Sequence, residues 1–511
     1  MTSARLIVDR DFVVGDIDRR LFGSFVEHMG RCVHTGIFEP GHPTADEHGL
    51  RQDVLALTRE LGVSLVRYPG GNFMSGYDWE DGVGPPAQRP VRLDLAWYST
   101  ETNAFGTHEF MRWCAQAGVE PMLGVNLGTR GPDAARRYIE YCNHTGDTTL
   151  TRQRAADGAP AALDVRLWCL GNEMDGPWQI GQKTAAEYGR IAQETAKLMR
   201  AVDPRIELAA CGSSAISLPT YGHWEDEVLS LCFDQVDYIS LHTYFENPHD
   251  EIGEFLSQIE QTGRFIEEII AVADSVAARR RSRKRLMLSF DEWNVWYKAR
   301  GPEHLRQPGW PVAPRLIEEV YNVEDALLNA GALMAMLNRA DRVRIACLAQ
   351  LVNVIGPIMT EPGGPAWRQT IFHPFALMSR WARGRVLQAR VRSDAYTVRS
   401  GQEIPYLMSC VTEDAARGEC AVFVLNRHPT EAMDLTVELR GLGAQRQLVT
   451  ALQLHHPDLK ACNTREAPDR LSPQPLAGVR LDGECLHLRL QPCSWNVVVT
   501  SRVDQAVSQR A

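Results

Sequence analysis

The chain has 511 residues, of which 44% are hydrophobic and 23% charged, the composition of a soluble globular protein. This length exceeds what one ordinary hydrophobic core organises, so we expect two domains. The formal net charge of −10, with a pI near 5.9, disfavours nucleic acid and anionic membranes as partners and suits a neutral substrate.

Residues 4–14 open the chain with one or two short predicted strands. Charges interrupt their apolar runs, which argues against a signal peptide, and no apolar run in the sequence reaches the length of a membrane span. The twelve cysteines lie singly, without CxxC pairs. We therefore expect reduced thiols and a cytoplasmic protein.

Eight apolar, strand-like runs follow, separated by amphipathic, helix-like segments. The predicted strands cover residues 21–27, 63–68, 121–126, 165–173, 206–211, 236–244, 286–292 and 343–350. The helix-like stretches include residues 49–61, 107–117, 184–202 and 252–278. Eight alternations predict an α/β fold, a closed parallel (β/α)8 TIM barrel over residues 16–375, with a doubly wound open sheet as the alternative.

The pattern changes in the last third of the chain. Residues 303–322 form a polar, proline-rich insertion after the seventh strand, where a loop covers the active face of a barrel, and we expect it to act as a lid. From about residue 385, short strands alternate with turns, at 406–411, 420–426, 433–439, 446–454, 486–490 and 496–500. These strands predict a C-terminal antiparallel β-sandwich of jelly-roll type over residues 385–501.

Two of the predicted barrel strands deliver a glutamate at their carboxyl end. The run LWCLGNE ends in Glu173, and the run LMLSFDE ends in Glu292. One such glutamate alone is more often a surface or helix-capping residue. Two of them, each beside tryptophans that could stack on sugar rings, indicate paired-carboxylate chemistry, of which glycoside hydrolysis is the commonest kind.

Nearly every other predicted strand also ends in a hydrogen-bonding side chain. These residues are Glu27, His28, Arg31, Arg67, Asn72, Asn126, His242, Tyr244 and Gln350. Each one alone is compatible with a structural role, but their convergence on one rim suits a sugar, which offers many hydroxyls. Hydrogen bonds from Arg67 or Tyr244 would also hold one glutamate ionised, while the other could stay protonated.

Other chemistries find no support in the sequence. The stretch 176–184 resembles a phosphate-binding loop, but Gln182 takes the position that requires lysine. The sequence contains neither a GxSxG nucleophile elbow nor an HExxH zinc motif. We interpret His455-His456 as a turn feature, and the basic run 279–285 as cations at a helix C-terminus.

Several of these stretches together resemble the α-L-arabinofuranosidases of glycoside hydrolase family 51. The resemblance covers almost the whole chain and is carried by GSFVE at 23–27, GIFEPGHPTA at 36–45, VRYPGGN at 66–72, GNEMDGPW at 171–178, LHTY at 241–244, FDEWNVW at 290–296 and LHHPDLK at 454–460. It implies a barrel with Glu173 as acid/base and Glu292 as nucleophile. It further implies that the arabinofuranose ring is held by Glu27, Arg67, Asn72, Asn172, His242, Tyr244 and Gln350, between the aromatic walls Trp97 and Trp296.

The resemblance also implies that residues 1–15 join the sandwich and that the protein is intracellular and often hexameric. We therefore expect an exo-acting, retaining α-L-arabinofuranosidase that takes arabinofuranosyl oligosaccharides from arabinan or arabinoxylan. No metal or organic cofactor is expected, and neither nucleic acid nor a membrane as a partner. The alternatives are a β-xylosidase or β-glucanase on the same scaffold, or a non-catalytic carbohydrate-binding protein.

Overall fold

The computed structural model describes residues 2–298 and 305–503. Eight parallel strands form a closed barrel, at Gly23–Phe25, Leu65–Tyr68, Glu120–Val125, Leu167–Leu170, Glu207–Ala210, Tyr238–Phe245, Met287–Val295 and Val343–Leu348. The eighth strand pairs with the first, so the predicted barrel is confirmed and the open-sheet alternative is wrong. Strands such as Leu167–Leu170 are buried along their whole length, which explains their unbroken apolar runs.

Each barrel strand is followed by at least one helix. In chain order these helices are Gln52–Leu61, Thr107–Ala117, Pro132–Asn143, Thr149–Ala156, Ala185–Val202, His223–Cys232, Ile252–Arg279, Val323–Leu337 and Phe372–Trp381. Helix Val323–Leu337 is buried on all sides because it lies between the barrel and the C-terminal sheet. Its almost entirely apolar sequence matches that position. Among the described residues, no helix is long and apolar enough to cross a membrane.

The C-terminal unit is built on one ten-stranded, mostly antiparallel sheet. Its strands, in spatial order, are Gln474–Pro475, Arg446–Leu454, Ser494–Arg502, Glu419–Asn426, Leu407–Asp414, Arg385–Arg392, Thr2–Asp16, Met433–Arg440, Cys485–Leu490 and Arg480–Asp482. Strand Arg446–Leu454 contacts Arg480–Asp482 near the opposite edge, so the sheet curls over a core of its own. The remaining described strands form three short hairpins, which are Arg92–Asp94 with Ser99–Glu101, Ile358–Thr360 with Ala366–Arg368, and Ala395–Thr397 with Glu403–Pro405.

The N-terminal strand lies inside this C-terminal sheet. Strand Thr2–Asp16 pairs antiparallel with Arg385–Arg392 and parallel with Met433–Arg440. The parallel pair departs from the antiparallel pattern, because a strand from the far end of the chain needs no hairpin to reach its neighbour. From these pairings we propose a barrel domain over residues 16–375 and a sheet domain of residues 1–15 with 385–501.

Candidate active site

A cavity of about 1020 Å³ opens at the end of the barrel where the strands reach their carboxyl termini. Most of the residues predicted for the site line it: Glu27, Asn72, Trp97, Glu173, Tyr244, Glu292, Trp296 and Gln350. The other three, Arg67, Asn172 and His242, are buried and hydrogen-bond to Glu292, Asn72 and Glu173 respectively. Residues 305–319 of the predicted lid also contribute side chains to the wall, whereas residues 303 and 304 lie outside the described residues.

Glu292 is held in one orientation by two donors. It lies on the seventh barrel strand, Met287–Val295, and is only 4% exposed. Arg67 Nη1 donates to its Oε1 at 2.7 Å, and the Tyr244 hydroxyl donates to its Oε2 at 2.8 Å. Charge-assisted hydrogen bonds of this length fix both oxygens of a carboxylate, as a nucleophile requires.

Glu173 follows the fourth barrel strand in a strained backbone conformation. Its φ of 45° lies in the left-handed region that residues with a side chain rarely adopt. His242 Nδ1 lies 2.9 Å from Glu173 Oε1, and the Trp178 indole donates to Oε2 at 2.6 Å. Burial raises the pKa of this carboxyl, but the His242 contact and the Trp178 bond outweigh it and hold the pKa below its ordinary value.

His242 connects the two glutamates. Its Nδ1 is 3.5 Å from Glu292 Oε2, and its Nε2 is 3.2 Å from Asp291 Oδ1. Burial lowers the pKa of this imidazole, but Glu292, Asp291 and Glu173 together raise it to about 10. At neutral pH the ring is therefore an imidazolium, with both nitrogens donating. Glu173, His242 and Glu292 also lie close enough together to hold a metal ion, each offering one donor atom.

Arg67 and Asp291 form a second layer beneath the glutamates. The Arg67 guanidinium donates from Nη2 to Asn172 Oδ1 at 2.6 Å and lies over the Phe25 ring. Its Nε is 3.7 Å from Asp291 Oδ2. Burial opposes the charged form of Asp291, but Arg67 and His242 hold its pKa below the ordinary value. These opposite charges compensate one another inside a buried site.

Glu27 closes the other side of the cavity. It accepts hydrogen bonds from the Phe73 amide and the Trp97 indole, both at 2.9 Å, and from Gln350 Nε2 at 3.2 Å. Burial, supported by the nearby charge of Glu292, raises the pKa of Glu27 to about 8. Gly71 packs so closely that an added Cβ would lie 2.6 Å from Glu27 Oε2, so this turn requires glycine.

The sequence interpretation missed three residues of this site. Strict strand alternation would turn Asp291 away from Glu292, but irregularities in the strand's register break that alternation. Trp178, 49% exposed, was noted only as a nearby aromatic residue. The Lys298 ammonium lies 5.0 Å from the Tyr244 ring centroid and 4.7 Å from that of Trp296, and nothing in the local sequence signals this contact.

Two carboxylates lie at the carboxyl rim of a closed parallel barrel, inside a cavity walled by aromatic and hydrogen-bonding side chains. This arrangement defines a glycoside hydrolase. Comparison with known proteins narrows this class. The pattern of the Alpha-L-arabinofuranosidase 1 domain matches residues 57–264, and that of the Alpha-L-arabinofuranosidase C-terminal domain matches residues 291–494. The chain belongs to the family 51 α-L-arabinofuranosidases.

Individual relatives span nearly the whole chain. The intracellular exo-α-(1→5)-L-arabinofuranosidase of Halalkalibacterium halodurans is 49% identical, over 97% of this chain and 98% of its own length. The exo-α-(1→6)-L-arabinofuranosidase of Bifidobacterium longum is 47% identical, over 98% of this chain and 97% of its own. The solved structure of a family 51 α-L-arabinofuranosidase from Bifidobacterium longum has a TM-score of 0.93 and 42% identity, covering 98% of this chain and 99% of that one.

Proposed function

We propose that the protein is an exo-acting, retaining α-L-arabinofuranosidase in which Glu292 is the nucleophile and Glu173 the acid/base. One observation carries the retaining mechanism: a carboxylate oxygen of Glu173 and one of Glu292 lie within 4.8 Å of each other. Retaining glycosidases separate their carboxyl groups by about 5–5.5 Å, whereas inverting ones need about 6.5–9.5 Å to admit a water. The spacing supports direct attack on the sugar.

In the first step Glu292 attacks the anomeric carbon, and the glycosidic oxygen leaves with a proton from Glu173. In the unliganded site the proton of this pair resides on His242, whose Nδ1 is 2.9 Å from Glu173 Oε1. We propose that the proton passes from His242 Nδ1 to Glu173 Oε1, and from that same oxygen to the leaving group. The Glu292 charge, which raises the His242 pKa, disappears on forming the ester, so the imidazole is then stable without its proton.

In the second step Glu173 accepts a proton from water as that water attacks the glycosyl-enzyme. The proton returns the His242–Glu173 pair to its starting state, and Glu292 regains its charge. Glu27, Asn72 and Gln350 would hold the ring hydroxyls, with Trp97 and Trp296 as the walls beside the sugar. Each proton and charge that leaves in the first step is thus restored in the second.

The substrate assignment rests on the relatives. Their names describe exo action on α-(1→5) and on α-(1→6) linkages, at similar identity to this chain. We therefore propose release of terminal L-arabinofuranose from oligosaccharides of arabinan or arabinoxylan type. The intracellular relatives and the twelve unpaired cysteines support action inside the cell. Hexamer formation stays a prediction, to be checked by sedimentation.

Kinetics with nitrophenyl glycosides tests the activity. The α-L-arabinofuranoside should be hydrolysed, and the β-D-xyloside and β-D-glucoside should react far more slowly; a preference for either of these would favour the alternative enzymes, and inertness toward all three a binding protein. Methanol added during turnover tests the stereochemistry. Proton NMR should show methyl α-L-arabinofuranoside as the first product, and the β anomer would exclude retention.

A further inference from the structure

Two histidines and a glutamate converge behind the wall of the catalytic cavity that holds Glu27. His28 Nδ1 lies 2.9 Å from Glu101 Oε2, and His34 Nε2 lies 3.2 Å from Glu101 Oε1. The side chains of His28, His34 and Glu101 are 0%, 16% and 8% exposed. One donor atom from each residue lies within 4.8 Å of the other two. The cluster is thus compact, nearly closed to solvent and rich in nitrogen and oxygen donors.

A separate cavity of about 330 Å³ reaches this cluster. Glu101 forms part of its lining, together with Asn103 and Tyr77. Asn103 Oδ1 and the Tyr77 hydroxyl are buried, and neither has a hydrogen-bond partner in the part of the chain that the structure describes. Buried polar atoms are normally satisfied, so two such atoms on one cavity wall indicate that water or an ion occupies the space beside Glu101.

We propose that His28, His34 and Glu101 bind a divalent transition-metal ion of the zinc class. Donor atoms that share a tetrahedral zinc ion, with bonds of about 2.0–2.1 Å, lie about 3.3 Å apart. The two nitrogens contact different oxygens of Glu101, at 2.9 and 3.2 Å. One donor atom of each residue lies within 4.8 Å of the other two, so no pair has to close by more than about 1.5 Å to share an ion. Two imidazoles and one carboxylate suit zinc better than calcium or magnesium, which prefer oxygen donors. A fourth position would be open toward the cavity, for a water molecule or for Asn103 Oδ1.

The surroundings of the cluster resemble the outer shell of a metal site. The second ring nitrogen of His28, Nε2, is 2.7 Å from the Tyr68 hydroxyl, which fixes the orientation of the ring. The backbone N–H of Asn103 donates to Glu101 Oε1 at 2.7 Å and fixes the carboxylate. Partners of this kind orient metal ligands and strengthen binding.

A metal here would stabilise the wall of the sugar cavity. His28 directly follows Glu27, and Glu101 ends the hairpin whose loop contains Trp97. The Trp97 indole donates to Glu27 Oε1 at 2.9 Å, so the two segments already meet at the substrate side. An ion bound by His28 and Glu101 would join the same segments a second time. Metal binding should therefore raise the melting temperature and lower the KM for arabinofuranosides.

Zinc titration of the full-length protein by calorimetry tests the proposal, after dialysis against a chelator and at pH 7. We expect one equivalent of zinc to bind this site, and His34→Gln to weaken that binding by at least about 100-fold, because loss of an outer-shell partner alone costs 10- to 100-fold. His223→Gln, which changes an exposed histidine, is the matched control and should bind like the parent. Glu292→Gln removes one donor from the other possible metal cluster, Glu173, His242 and Glu292. This variant should still bind one equivalent of zinc at the proposed site.

X-ray absorption spectroscopy at the zinc edge, on the unmodified protein, gives a second result that does not depend on the folding of any variant. The expected shell contains two imidazole nitrogens and oxygen, with no sulfur. The proposal is overturned if no zinc binds at micromolar concentration, if His34→Gln binds as tightly as the parent, or if the equivalent disappears with Glu292→Gln instead. Sulfur neighbours would also overturn it, since they would place the ion on cysteines.

Discussion

Exchange of the two glutamates for alanine should separate their roles. Glu292→Ala removes the carboxylate that Arg67 and Tyr244 hold at 2.7 and 2.8 Å and leaves a space facing the anomeric carbon. Glu173→Ala removes the partner of His242 and Trp178 but leaves the Glu292 contacts intact. A small anion can therefore take the place of the nucleophile in the first variant and of the attacking water in the second.

The two variants, Glu292→Ala and Glu173→Ala, should lose activity by different factors. A positioned carboxylate acts at an effective concentration of at least about 10⁵ M, so 1 M azide in Glu292→Ala should leave the rate about 10⁵-fold below the parent. Removal of a general acid costs about 10²- to 10⁴-fold when the leaving group needs a proton. In Glu173→Ala this loss should apply to natural oligosaccharides, and should almost vanish in the first step with a dinitrophenyl leaving group.

The assay combines leaving-group kinetics with NMR of the azide products. Glu292→Ala should give β-L-arabinofuranosyl azide by a single displacement, and Glu173→Ala should give the α anomer by attack on the glycosyl-enzyme. Glu318→Ala is a matched control, since it removes a carboxylate from the same cavity and should form no azide product at all. Exchanged configurations, or equal sensitivity of Glu173→Ala to good and poor leaving groups, would refute the assignment.

Three further outcomes follow from the titrating groups and thiols. His242→Gln should move the alkaline limb of the kcat/KM–pH profile to lower pH, because the proton that Glu173 donates is held by His242 with a pKa of about 10 and glutamine carries no such proton; an unmoved limb would contradict this. Burial, aided by Arg368, lowers the pKa of His373 to about 4, so the unfolded chain binds its proton first as pH falls. Urea denaturation should show up to about 3 kcal/mol of stability lost between pH 6.5 and 4, and His373→Gln should lose less. Thiol titration of unfolded protein without reductant should find close to twelve thiols, and a markedly lower number would indicate disulfides.

The amino-acid sequence by itself determined the barrel and most of the candidate site. Eight apolar runs could be recognised because strands buried on both faces lack polar interruptions. Glu173 and Glu292 could be selected because parallel strands bring their carboxyl ends to one rim, so that residues 119 positions apart meet without knowledge of the contacts between them. The family motifs then connected the remaining hydrogen-bonding residues with one sugar ring.

The tertiary structure alone decided the contacts that depend on exact register and on distant packing. Asp291 reaches His242 only because the strand is irregular beside Glu292, which no alternation pattern predicts. The charge state of His242 depends on three carboxylates, two from the neighbouring strand and one from a loop, so it cannot be read from the local sequence. His34 and Glu101 lie 67 positions apart in loop and hairpin segments, where no periodicity constrains side-chain direction. Their approach is a consequence of how the closed barrel packs its loops.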